Sequence, residues 1–238
     1  MDKYIAANWK MNNDFSDIPS YVEYLDKNLE NKNNVVVCVP HVMLKTFADA
    51  AKGIVETGAE NCYYAEKGAY TGETSAKMVK SAGANYVIIG HSERRQYFGE
   101  TNETVSKKIA AALANDLKVI FCIGEKLEQK ENFKEVLNEQ IVEGLAGISD
   151  FSNIIVAYEP VWAIGTGVVA TIDDIKTVHA YIKSVLNEKF GVNLPILYGG
   201  SVKPENSAEI MALEDVGGVL VGGACLKPDS FAQIAKSR

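Results

Sequence analysis

Short apolar runs recur along the chain, with longer amphipathic stretches between them. The runs are Tyr4–Trp9, Val35–Val39, Val55–Cys62, Tyr86–Gly90, Val119–Ile123, Ile154–Tyr158, Ile196–Gly199 and Val219–Gly222. Most are continuously apolar rather than alternating, the pattern of parallel strands covered on both faces. The third is the least regular, because Glu56, Thr57, Gly58 and Glu60 interrupt it. Between the runs, Val105, Ile109, Ala112 and Leu113 share one helical face, and Ile175, Val178, Ile182, Val185 and Leu186 share another. Thr171 with Asp174 has the form of a capping box opening the second of these helices. Strand and helix alternate with no Pro- or Ser-rich linker and no low-complexity tract, so the pattern predicts one domain over residues 1–238.

Eight strand–helix units fit either a closed (β/α)8 barrel or an open doubly wound sheet. The open sheet usually carries a Gly-rich turn after its first strand. Here the first run ends Asn8-Trp9-Lys10, without glycine, and the pattern favours the barrel. Barrel chemistry gathers at the carboxyl ends of the strands.

Composition narrows the reading further. A chain of 238 residues that is 47% apolar can bury a sizeable core. Its net charge of -7 and pI of about 5.1 argue against nucleic acid as a partner. Cysteines 38, 62, 122 and 225 form no C-x-x-C pair and no zinc spacing. Cys38 and Cys122 sit in apolar runs and read as small core residues. The N-terminus enters a strand at once, with no signal-peptide pattern. The uncharged stretch Pro160–Ile172 is too short for a bilayer, which takes about 20 residues. The expectation is a reduced cytoplasmic protein without a membrane anchor.

The strand ends then nominate chemistry. The first offers Asn8 and Lys10 on one side, an ammonium able to meet an anion or developing charge. The fourth ends Gly90-His91-Ser92-Glu93-Arg94-Arg95, where a neutral imidazole could polarise a carbonyl. His41 and His179 read as structural, and Glu93 and Arg94 as a supporting ion-pair layer. The fifth ends in Gly124-Glu125. The sixth ends in Glu159, which Pro160 follows. Beyond Pro160, the apolar Val161, Trp162 and Ile164 precede Gly165 and Gly167, the make-up of a closing loop beside an acid or base. Gly199-Gly200 and Gly222-Gly223 follow the last two strands, matching a common barrel phosphate site. No metal-ligand spacing, nucleotide fingerprint or acyl-transfer serine stands out. Proton chemistry beside a carbonyl, on a small phosphorylated substrate, fits what remains.

Taken together, Asn8-Trp9-Lys10, Thr71-Gly72-Glu73, Gly90 to Arg95, Tyr158 to Gly167, Tyr198 to Ser201 and Val221 to Ala224 resemble the triosephosphate isomerases, in the family's order and across nearly the whole chain. That family is itself the standard worked case of a Glu base, a neutral His and loop closure. The resemblance implies cofactor-free, metal-free interconversion of dihydroxyacetone phosphate and glyceraldehyde 3-phosphate in glycolysis and gluconeogenesis. By position, it implies Glu159 as base, His91 as electrophile, Lys10 as a positive charge and Asn8 as a site-fixing residue. Backbone N–H groups of Gly165, Ser201, Gly222 and Gly223 would hold the phosphate. Tyr198 and Ser201 would latch the closed lid near Gly167 and Ala170, Glu93 would support the site, and Glu125 would pair with Trp162 when the lid is open. Apolar cover from Val161 and Ile164 would raise the Glu159 pKa. The resemblance also implies a homodimer in which Gly68–Ala76, with Thr71 at its tip, enters the partner.

Three positions depart from the family's pattern. Val168 replaces a lid Lys, Glu60 replaces a Gln near the partner's loop and points to a pH-sensitive dimer, and Cys225 replaces a Ser where an accessible thiol would be open to oxidation. Two rival readings share some features. Another phosphate-binding barrel enzyme, decarboxylating or carbon–carbon-cleaving, would keep the glycine pairs without the Glu159 lid and His91. A non-enzymatic adhesion module would need no catalytic set.

Overall fold

The computed structural model describes residues 3–164 and 170–238. The strands are β1 (Tyr4–Asn8), β2 (Val35–Val39), β3 (Glu56–Ala59), β4 (Tyr86–Ile89), β5 (Lys118–Ile123), β6 (Ile154–Tyr158), β7 (Ile196–Tyr198) and β8 (Gly218–Val221). Each pairs in parallel with the next, and β8 returns to β1, closing the barrel that the apolar runs predict. Helices α1 (Ile18–Asn28), α2 (Leu44–Ala51), α3 (Ala76–Ser81), α4 (Ser92–Phe98), α5 (Asn102–Leu113), α6 (Phe133–Gly144), α7 (Ile172–Phe190), α8 (Pro204–Met211) and α9 (Pro228–Lys236) lie between or after the strands.

The continuous apolarity of the strands has a direct cause. Alternate residues point inward and outward, and both sides are dry. Ala6, Cys38, Ile88, Ile120, Cys122, Ala157 and Leu220 fill the barrel. Ile5, Val37, Val87, Phe121 and Val156 face the helices. Interior space is graded: a Cβ on Gly58 would stand 2.5 Å from the Cys38 sulfur, so this glycine makes room for its neighbour. The irregular third run contributes the short strand β3, Glu56–Ala59.

The helical faces fall as their spacing predicts. Val105, Ile109 and Ala112 of α5 are buried, with Leu113 packed partly against the core. Ile175, Val178, Ile182, Val185 and Leu186 of α7 are buried. Thr171 caps α7 by accepting Asp174 N–H, and Asp174 accepts Thr171 N–H in return. Among the described residues, no helix is long and apolar enough to cross a membrane.

His179 on α7 is fully buried behind β6 and β7, against Tyr158 and Tyr198. Burial pushes its imidazole down to about 4 from the ordinary 6.5, against the opposing pull of the Asp215 carbonyl. The unfolded chain therefore takes up a proton near pH 6.5 that the folded chain refuses until about 4. Stability is intact above that window and falls as pH drops through it, by about 3 kcal/mol at most from this group. His179→Gln should show a shallower decline of Tm across the window than the parent protein.

Candidate active site

The carboxyl ends of the strands open into a cavity of about 680 Å³. Asn8, Lys10, His91, Glu159, Ser201, Gly222 and Gly223 all line it, so the structure brings together residues at the carboxyl ends of β1, β4, β6, β7 and β8.

Lys10 stands two residues past β1 with a left-handed backbone, φ 55°. A non-glycine residue holds that conformation only when its surroundings enforce it. Here the Asn8 Oδ1 accepts the Lys10 N–H at 3.1 Å. The Lys10 ammonium turns onto Glu93, 2.5 Å from its Oε1. The lysine stem runs past Gly222, where a Cβ would make only ordinary contact with Lys10 Cε at 3.5 Å.

His91 forms the N-cap of α4, where its Nδ1 accepts the Glu93 N–H at 3.2 Å. Its Nε2 lies 2.9 Å from Glu159 Oε1. Burial disfavours the imidazolium, whereas the Glu159 carboxylate favours it and draws the ring's pKa upward. The hydrogen bond at Nδ1 works the other way. A second ring proton would confront the Glu93 N–H, so this bond favours the neutral tautomer with its proton on Nε2.

Glu159 is 2% exposed. Its Oε2 accepts the Ser92 N–H at 2.9 Å. The expectation that apolar cover raises this carboxyl needs correction. Burial does push it up, but positive charge on His91 and its hydrogen bond, then the Ser92 N–H and the Lys10 charge, outweigh burial and hold it below the ordinary value. Ile164 lines the front cavity while Val161 faces a second one behind, so the apolar cover is divided.

The loop anchors lie close by. Glu125 Oε1 accepts from both Trp162 Nε1, at 2.8 Å, and Tyr158 Oη, at 2.9 Å. Burial raises the Glu125 carboxyl, and these two donors only partly offset it. The Lys130 ammonium covers the Trp162 ring at 3.9 Å. Tyr198 sits under Gly200, where a Cβ would be 2.2 Å from its hydroxyl, and Ala170 is buried nearby. Gly165, Gly167 and Val168 lie outside the described residues.

Thr71 is exposed on the 66–73 loop, whose base is held by a Tyr63–Ser75 bridge and by Tyr63 packing on Tyr70. His41 Nε2 lies 2.6 Å from the Asn61 carbonyl. Arg94 and Lys108 both pair with buried Glu100. Cys225 does not meet the condition for oxidation. It is fully buried, points at the Asn8 carbonyl 3.4 Å away, and burial pushes its thiol up to about 12, so it offers no accessible thiolate. Burial likewise pushes Glu60 up to about 8, beside the Lys10 backbone.

Reading the strand ends did not single out the Ser92 N–H as a carboxylate holder, nor Lys203 and Lys227, which add positive charge to the cavity wall. The two lysines were visible as the basic residues before Pro204 and Pro228. A carboxylate, an imidazole and an ammonium around one cavity can move a proton at a carbon next to a carbonyl.

A family model described as triosephosphate isomerase matches residues 3–238. The chain is 47% identical over 243 residues to the triosephosphate isomerase of Geotalea uraniireducens (strain Rf4), covering 98% of this chain and 97% of that one. It is 44% identical to that of Cytophaga hutchinsonii over 99% of this chain and 98% of the relative. A crystal structure of triosephosphate isomerase from Bartonella henselae superposes with a TM-score of 0.91 at 37% identity, covering all of this chain and 99% of the other. The chain belongs to the triosephosphate isomerase family.

Proposed function

We propose that this chain interconverts dihydroxyacetone phosphate and D-glyceraldehyde 3-phosphate through an enediolate, with Glu159 as the base and neutral His91 as the electrophile. The observation that carries the reading is the 2.9 Å pairing of His91 Nε2 with Glu159 Oε1 at the wall of one cavity that also holds Lys10 and the paired glycines. A bound substrate carbonyl would take the His91 N–H for itself. Glu159 would then turn from Ser92 toward the carbon-bound proton. Two donors that depress the carboxyl in this structure would be lost, and the burial that raises it would remain, so its basicity would rise when the proton must be taken. His91 and Lys10 would hold the charge that develops on the two oxygens.

At the far end, backbone N–H groups of Gly165, Ser201, Gly222 and Gly223 would bind the phosphate. Asn206 fixes one part of this cradle by donating to the Ser201 carbonyl at 3.0 Å. A loop anchored through Trp162, Glu125 and Tyr198 would exclude water from the enediolate, which otherwise loses phosphate readily. A coupled assay on glyceraldehyde 3-phosphate, with a chelator present, tests the reading. Full turnover is expected, and a chelator-sensitive or absent activity contradicts it.

The same reading makes the protein a cytoplasmic, single-domain homodimer. Its support is a groove of about 480 Å³ that reaches Asn8, Lys10 and His91, edged by Met11 and Phe98, which are 96% and 67% exposed. Val42, beside His41, is 73% exposed. The partner's Thr71 loop would fill the groove and brace Lys10. Met11→Asp with Val42→Asp should weaken association by roughly 30-fold or more, the scale of a lost hot spot, measured by sedimentation. Dimers of parental strength would place the interface elsewhere.

A further inference from the structure

The strand end that seats Glu159 is itself gripped from outside the barrel. Residues 123–125 hold the 158–162 segment at four points: Glu159 N–H on the Ile123 carbonyl, Val161 N–H on the Glu125 carbonyl, and the Tyr158 and Trp162 side chains on the Glu125 carboxylate. The contact at the centre is tighter still. A Cβ on Gly124 would stand 1.8 Å from the Glu159 carbonyl oxygen, so the two backbones touch there.

Gln140, from α6, clamps this middle residue with both ends of its amide. Its Oε1 accepts the Gly124 N–H at 2.8 Å, and its Nε2 donates to the Gly124 carbonyl at 3.0 Å. The helix that carries it is seated firmly. Gly144 presses on the Phe121 ring of β5, where a Cβ would lie 2.5 Å from the ring, and Leu137 and Ile141 are buried. Behind Glu159 lies a second cavity of about 540 Å³, lined by Gln140, Gly124, Arg95 and Glu159 itself. Without the clamp, Gly124 has room to retreat into that space, and the Glu159 backbone can follow.

We propose that Gln140 is a positioning residue for Glu159, acting through the Gly124 peptide. The inference rests on the reading of Glu159 as the base. Gln140 touches no reacting atom; it fixes where the carboxylate stands when it meets the substrate carbon. Misplacing a catalytic group by about 1 Å can cost on the order of 100-fold in rate.

Gln140→Met keeps the length of the side chain and removes both bonds. It should lower kcat by about 10- to 100-fold, with KM and competitive inhibition by inorganic phosphate nearly unchanged, because the phosphate cradle lies on β7 and β8. In a Glu159→Gln background the same substitution should lower kcat by no more than about threefold further, since residues acting as a unit are not additive. Gln140→Glu keeps an acceptor for the Gly124 N–H but sets an oxygen against the Gly124 carbonyl, and it should show the same loss. This second variant serves if the Met protein does not fold. A merely structural tie would lower Tm and leave the kcat-to-KM split alone. The proposal is overturned if kcat stays within about threefold of the parent in the folded variant, or if the full loss persists without Glu159. Parental turnover in Glu159→Gln alone would instead overturn the base assignment beneath it, so the two failures are separable.

Discussion

Glu159→Gln lowers kcat by about 10²- to 10⁴-fold, the scale expected for removing a positioned base. The amide has the size of the carboxylate, and its oxygen can still accept the Ser92 N–H that Glu159 accepts at 2.9 Å. What it lacks is the ability to carry a proton. Binding should therefore survive while chemistry fails. Inorganic phosphate should inhibit the variant with the parental constant, because Ser201, Gly222 and Gly223 line another part of the cavity. Steady-state turnover and phosphate inhibition, measured on the same preparation, check both halves. Near-parental kcat would remove Glu159 from the mechanism.

Gly124→Ala has an effect of similar size by a different route. Gly124 is not required for a left-handed dihedral; it is required because nothing larger fits. The added methyl would lie 1.8 Å from the Glu159 carbonyl oxygen and 2.7 Å from its carbonyl carbon. Neither backbone can step aside freely. Glu159 N–H is tied to Ile123 at 2.7 Å, and Gly199 N–H is tied to Tyr158 at 2.7 Å. The clash must therefore part the ends of β5 and β6. Overpacking of this kind costs about 1–3 kcal/mol, occasionally more, and displacing the base by about 1 Å costs on the order of 100-fold in kcat. Thermal unfolding and kcat should fall together. A variant with parental values for both would show that the two strand ends do not touch.

Much of this architecture was legible in the amino-acid sequence, for a physical reason. A strand buried on both faces must be apolar throughout, so Val35–Val39 and Ile154–Tyr158 reveal themselves without any partner in view. The polar residues at strand ends interrupt that pattern, and Lys10, His91 and Glu159 stand out where the apolar runs stop. What lay hidden depends on contacts between distant segments. Nothing in the spacing of α6 singles out Gln140, whose importance comes from reaching Gly124 across the outside of β5. The direction of the Glu159 shift runs against the expectation because apolar neighbours are visible in a sequence, whereas the pairing of the carboxylate with His91 and with the Ser92 N–H is not. The accessibility of Cys225, beside two glycines, was open in the sequence, and its side chain turns inward to the Asn8 carbonyl.

The central claim is that Glu159 carries a proton between neighbouring carbons. Incubating the protein with dihydroxyacetone phosphate in deuterium oxide, and following the carbon-bound hydrogens by NMR, tests it most directly. A carboxylate base exchanges its proton with solvent, so deuterium should enter the carbons beside the carbonyl over many rounds of interconversion, and at least about 100-fold more slowly in Glu159→Gln. Sustained isomerisation with no deuterium in either triose phosphate would mean that hydrogen passes directly between the carbons, and would contradict the account.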